Sequence, residues 1–259
     1  MLIAHLTDLH MRAGRGPSAR WRDLSRGGLD AIVDRILAFD PPIDAVALTG
    51  DLADPGTAED YVLLQPLRRL PMPLLPIPGN HDLRGPMRTA FGLPPSPSPD
   101  GWIQYAADVG PLRVIALDTL LVPEQPQGQL CAGRLAWAAE ALAEARDRPT
   151  LLLMHHPPVP LGIPGMDAMR LLEGAEELAS LLRRHPRLVG ILCGHYHRPV
   201  VASWLGVPLL VAASPALQLG LHFHAGEAPA IDEPYGMFLH WWTPEAGLVT
   251  HTDFCPLPR

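Results

Sequence analysis

Short apolar runs punctuate this chain, and five of them end the same way. Leu2 to Leu6, Ile43 to Leu48, Leu74 to Ile77, Thr150 to Met154 and Leu188 to Leu192 have the length and apolar content of buried strands. Directly behind them stand Asp8 and His10, then Asp51, then Asn80 and His81, then His155 and His156, then His195 and His197. Elsewhere the apolar spacing is helical. Leu29, Ile32, Val33, Ile36 and Leu37 predict a helix over Leu29–Phe39, closed by Pro41-Pro42. Thr57 predicts a cap for a helix running to about Leu70, and further helices are expected over Arg134–Arg146 and Glu173–Arg184. Trp102–Ala107 and Leu112–Leu117 predict strands joined at Val109-Gly110-Pro111. The C-terminal part reads as strands over Val200–Trp204, Pro208–Ala212, Gly236–Trp242 and Leu248–Thr252, with a long loop over 214–235.

Composition narrows the class. A chain of 259 residues with 47% hydrophobic content suits one α/β domain spanning 1–259, its C-terminal strands from about 200 completing the fold. No apolar run nears the ~18 residues of a membrane span. The N-terminus lacks a positive segment and a small-residue cleavage site, and cleavage nearby would remove Asp8 and His10, so a cytoplasmic protein is expected. The net charge of −7 argues against a long nucleic-acid footprint. All 20 basic residues are Arg, which excludes Schiff-base lysine chemistry and a Walker-type phosphate loop. Cys131, Cys193 and Cys255 are odd in number and far apart, fitting buried thiols better than disulfides or a paired-cysteine metal site.

The polar residues behind the strands carry the chemistry. Asp8 with His10, and His195 with His197, are i and i+2 pairs, which an extended backbone would aim to one side. In open α/β sheets, ligands bind beyond the carboxyl ends of strands. One such ending is a turn or a surface histidine; five in one chain point to a shared site. His5, inside its run, reads as a hydrogen-bonded core histidine. The arginine-rich loop over 11–26 is either a solvated face or a lid that receives phosphate.

The series Asp8-x-His10, Gly50-Asp51, Gly79-Asn80-His81-Asp82, His155 and Gly194-His195-x-His197 resembles the calcineurin-like metallophosphoesterase superfamily. The text around Met154-His155-His156-Pro157-Pro158 and Cys193-Gly194-His195-Tyr196-His197 is most similar to its branch of class III cyclic-nucleotide phosphodiesterases and glycerophosphodiesterases. The resemblance implies a four-layer α/β fold, a β-sandwich flanked by helices. It implies one metal on Asp8, His10, Asp51 and His197, and another on Asp51, Asn80, His155 and His195, with Asp51 bridging. His156 then either supports the ligands from behind or is structural. His81 would be the catalytic histidine, oriented by Asp82, and Asn80 and His81 would also meet substrate. Two carboxylates, an amide and four imidazoles suit two divalent or mixed-valence transition metals, Mn, Fe, Zn or Co, rather than Mg or Ca.

The implied reaction is in-line attack on a small phosphodiester by a hydroxide bridging the metals, with protonated His81 assisting the leaving oxygen. 3′,5′-Cyclic nucleotides are the first expected substrates and glycerophosphodiesters the second. A phosphomonoesterase or nuclease on the same core follows, and then a non-catalytic scaffold, which the full ligand set disfavours. Substrate choice should lie in loops 11–26, 83–101 and 214–235, where His222 and His224 are either ordinary loop histidines or substrate contacts. Phe238, Trp241 and Trp242 suggest a homodimer or higher homo-oligomer contact, unless alternation buries them in the sandwich.

Overall fold

The computed structural model describes residues 1–14, 21–25, 27–96, 98, 101–122 and 125–255. Arg15, Arg20 and Arg26 of the arginine-rich loop lie outside them, as do Pro97, Pro99 and Asp100 of the 83–101 loop. Two mixed sheets dominate the described residues. One is five-stranded, in the order Gly247–Phe254, Gly236–Thr243, Leu2–Leu6, Ala45–Leu48, Leu74–Pro76. The other is six-stranded, in the order Val200–Trp204, Val207–Val211, Leu188–Cys193, Thr150–Leu153, Leu112–Ala116, Tyr105–Val109.

Alternation along the strands produces the layers. In Ala45–Leu48, Ala45 and Ala47 face the second sheet, while Val46 and Leu48 join Leu29, Ile32, Val33 and Ile36 of the Gly28–Leu37 helix. In Thr150–Leu153, Leu151 and Leu153 face the first sheet, and Leu152 packs with Ala138 and Leu142 of Ala132–Glu144 and Leu178 and Leu182 of Ala175–Leu182. Three apolar cores between four layers make the α/β sandwich with helices on both outer faces. The same alternation buries Phe238 and Trp242, at 2% and 5% exposure, between the sheets and leaves Trp241 at 44%. An oligomer contact built on the first two is therefore removed. His5 is the expected core histidine, bonded through Nε2 to Thr49 Oγ1 at 2.8 Å and through Nδ1 to His240 Nε2 at 3.2 Å.

Several elements depart from the pattern: the loop expected over 214–235 carries a short antiparallel ladder of Gln218–Leu219 and Ala230–Ile231, and Glu173, expected in a helix, ends the strand Leu171–Glu173. Two helices depart as well. The helix capped by Thr57, with Asp60 completing the capping box, stops at Val62, and Gln65–Arg69 continues as a tight 3-10 turn. Pro66 is the cause, since it donates no N–H and disfavours α geometry at the residue before it. Arg84–Phe91 is helical where a loop was expected. Only Met87 of that helix is fully buried, so no apolar stripe announces it. Arg84 anchors its start on the buried Asp118 carboxylate by two bonds, at 2.7 and 2.9 Å.

Candidate dinuclear metal centre

The parallel strands Leu2–Leu6, Ala45–Leu48 and Leu74–Pro76 of one sheet, and Thr150–Leu153 and Leu188–Cys193 of the other, end at the same edge of the sandwich. The loops beyond them are not extended. Among the described residues, six non-glycine residues have positive φ, and five are Asp8 (52°), His10 (43°), Asp51 (51°), His195 (76°) and His197 (55°). The expected i, i+2 aiming on extended chain is thus wrong in mechanism. The pairs sit in left-handed turns, which bring Asp8 and His10 into one group and send His195 and His197 to different ones. Such conformations cost about 1–3 kcal/mol each, and they persist where the surroundings over-determine them.

Asp8, His10, Asp51 and His197 bring one ligand atom each within 4.8 Å of one another. His10 Nε2 lies 3.2 Å from His197 Nε2 and 3.7 Å from Asp51 Oδ2, and His197 Nε2 lies 3.4 Å from Asp8 Oδ1. His197 Nδ1 donates to Leu217 O at 3.0 Å, which leaves the Nε2 lone pair for the cluster. His155 is set the same way. Its Nδ1 donates to Thr49 O at 2.6 Å, and Nε2 faces Asp51 Oδ2 at 3.4 Å.

His155 Nε2 and His195 Nε2, whose residues lie within reach of one another, are buried without a hydrogen-bond partner, and so is Oδ1 of Asn80 beyond the neighbouring Leu74–Pro76 strand. Orphaned buried polar atoms are rare, and these nitrogens and oxygen suit ligation of a cation. His156 also lies within reach of His155 and His195. Both its ring nitrogens are engaged, however, Nδ1 with Thr119 Oγ1 at 2.7 Å and Nε2 with Pro126 O at 3.1 Å. That leaves no lone pair for a metal. His155→Ala should therefore halve the metal bound per chain, whereas His156→Gln should keep the full complement; elemental analysis of both variants checks this.

The electrostatics favour ligating forms at three of the four imidazoles; at the fourth, burial acts downward but the charges of Asp51 and Asp8 raise His155 to about 9, so a cation at its Nε2 would have to displace that proton. Burial lowers His10, His195 and His197, the last to about 4, so these imidazoles are neutral. Burial pushes Asp8 up to about 6, so its carboxylate gains from an adjacent cation. Burial acts upward on Asp51 too, but the charges of His155 and His81 hold it well below the ordinary range.

Close backbone approach completes the cradle. A Cβ on Gly79 would fall 2.1 Å from Asp51 Oδ1, and one on Gly194 would fall 2.0 Å from Thr7 Oγ1. Gly79→Ala should displace Asp51 and weaken metal binding by at least about tenfold, as outer-shell changes do, measurable by titration of the metal-free protein.

His81 departs from expectation in its partner. Asp82 does not orient it. Asp82 instead accepts from the N–H groups of Gly79, Leu52 and Ala53 and from Tyr61 Oη, the last at 2.6 Å, and so ties the two ligand loops together. Its carboxylate is fully committed to those donors. The partner is Asp54, whose Oδ1 lies 3.2 Å from His81 Nδ1 and whose Oδ2 lies 3.5 Å from His10 Nδ1. Arg12 Nη2 steadies Asp54 at 2.5 Å. Asp54 was missed because it precedes Pro55-Gly56 and reads as a turn; its distance of three residues from Asp51 was the available signal. Although burial opposes it, the charges of Asp51 and Asp54 raise His81 to about 9.

The loops expected to choose substrate are partly accounted for. Arg12 is engaged by Asp54, and the Arg22 guanidinium stacks on Tyr235 at 4.0 Å, so neither described arginine is spare for a phosphate. His222 and His224 face each other, with ring centroids 5.7 Å apart. Among the described residues, neither makes a hydrogen bond or ion pair with the histidine and aspartate cluster.

The family model for calcineurin-like phosphoesterases matches residues 1–199. The "Probable glycerophosphodiester phosphodiesterase" of Arcobacter nitrofigilis is 32% identical over 256 residues, covering 98% of this chain and 93% of its own. The 3′,5′-cyclic adenosine monophosphate phosphodiesterase of Pseudomonas aeruginosa is 31% identical over 217 residues, covering 83% and 76%. Among solved structures, a purple acid phosphatase from yellow lupin seeds superposes with a TM-score of 0.72 at 16% identity, over 99% of this chain and 52% of that one. That likeness concerns the fold.

Proposed function

The chain belongs to the calcineurin-like phosphoesterase family, and we propose that, as a metal-dependent phosphodiesterase, it acts on small diesters, with 3′,5′-cyclic nucleotides as its first substrate class. The observation that carries this reading is the trio of orphaned buried atoms, Asn80 Oδ1, His155 Nε2 and His195 Nε2, beside a second group of two histidines and two aspartates. Asp8, His10, Asp51 and His197 would hold one cation, and Asp51, Asn80, His155 and His195 the other. When bound, two divalent cations supply Lewis acidity and lower the pKa of water toward 7.

The chain's own groups supply the rest. His81 has its Nδ1 fixed on Asp54, so Nε2 is the atom free to meet substrate. Its side chain is 41% exposed, which leaves it open to a diester approaching the cluster. With Asp54 favouring its protonated form through Nδ1, it can donate from Nε2 to the leaving oxygen as the P–O bond breaks. Asn80, neutral where an aspartate would add charge, keeps the site net positive for a phosphodiester monoanion.

Glycerophosphodiesters form the second reading, supported by the near full-length relative named for them. Both would be met by a panel of cyclic AMP, a glycerophosphodiester and an aryl monoester on metal-loaded protein. Diester hydrolysis well above monoester hydrolysis is expected, with cyclic AMP fastest. Turnover of the monoester alone would overturn the reading.

A further inference from the structure

Trp21 takes no part in the chemistry assigned so far, yet it borders the cluster. Its ring lies 4.8 Å from His10, at 74°, and 6.1 Å from His197, at 88°. It is half-buried, packing against the apolar core that contains Leu24 and Ala216. Its place is fixed. The next residue, Arg22, donates its backbone N–H to Ala216 O at 2.8 Å, and Leu217 O accepts from His197. One short segment therefore holds both the indole and a ligand of the Asp8 side.

A diester at this centre has two arms, and an arm leaving past His10 or His197 meets the indole. Aromatic faces take neutral planar rings or cations. Here a cation is disfavoured. Arg12, on Asp54, and Arg22, over Tyr235, place guanidinium groups on the same loop, and the metals would add positive charge. We propose that Trp21 is a specificity-determining residue that stacks the neutral planar base of a nucleotide-type ester arm. The proposal rests on the phosphodiester reading of the adjoining cluster.

The test is binding rather than turnover. Adenosine 5′-monophosphate and methyl phosphate share the phosphate and differ in the base-bearing arm. Their dissociation constants on metal-loaded wild type, Trp21→Ala and Trp21→Phe are measured by calorimetry, with metal content determined for each. Wild type should prefer the nucleotide by about tenfold or more. Trp21→Ala should bring that preference close to one, and Trp21→Phe should retain most of it. An equal preference in wild type and Trp21→Ala, or equal weakening of both ligands by Trp21→Ala, would overturn the proposal. If the same samples hydrolyse no diester, the reaction assignment fails, and the binding ratio still decides the role of Trp21.

Discussion

Asp51→Ala is expected to abolish phosphodiester hydrolysis and to release both metal ions. Among the described residues, Asp51 is the carboxylate with ring nitrogens of both histidine sets beside it. Its Oδ2 lies 3.7 Å from His10 Nε2 and 3.4 Å from His155 Nε2, and its Oδ1 receives the His81 N–H at 2.8 Å. Removing it takes a shared anion out of a buried cluster, so one cation would keep Asp8 alone as a carboxylate and the other would keep none. It also frees the backbone that presents Asn80 and His81. The fall in kcat/KM should reach about 10³-fold or more, the scale for losing one strong electrostatic contributor. Elemental analysis should find the metal content reduced on both sides, with circular dichroism confirming a folded chain. A fully active variant, or one that loses a single ion and stays active, would refute the bridging assignment.

His81→Ala should lower kcat by about 10²–10⁴-fold for substrates with alkyl leaving groups. With a good aryl leaving group the loss should be far smaller, because that oxygen departs without a proton. Metal content should stay at the wild-type level, since the ring of His81 is turned toward Asp54. Asp54→Asn should reproduce the same dependence on leaving group at about 10–100-fold, with Asp54→Glu recovering part of the activity. Asp82→Asn should behave differently. Asp82 is fully buried and holds backbone and Tyr61 donors, so its loss should lower the melting temperature without a leaving-group signature. Equal losses on alkyl and aryl substrates in His81→Ala would remove its role as the acid.

The sequence makes the ligand series legible because each ligand follows a short apolar strand, and strand ends are set by local pattern. It conveys direction poorly. Asp8, His10, Asp51, His195 and His197 adopt left-handed backbone, which no periodicity encodes, so their split between two groups is implied by the family resemblance and displayed by tertiary packing, not by the local pattern. Asp54 and Asp82 illustrate the same limit. Both are acidic residues in turns, and only the folded chain shows that one reaches His81 while the other is consumed by backbone donors. The Arg84–Phe91 helix escaped because it is held by Arg84 on Asp118 and a single buried methionine rather than by an apolar face. Pro66, by contrast, was visible in the sequence, and its steric effect outweighs the helical propensity around it.

The most direct measurement is metal stoichiometry and cyclic AMP hydrolysis on one preparation, taken through chelation and reloading. Two ions per chain are predicted, with diester hydrolysis lost on chelation and restored as the second ion returns. Hydrolysis that survives complete metal removal, or a folded chain that binds no ion under reloading, would contradict the dinuclear phosphodiesterase assignment.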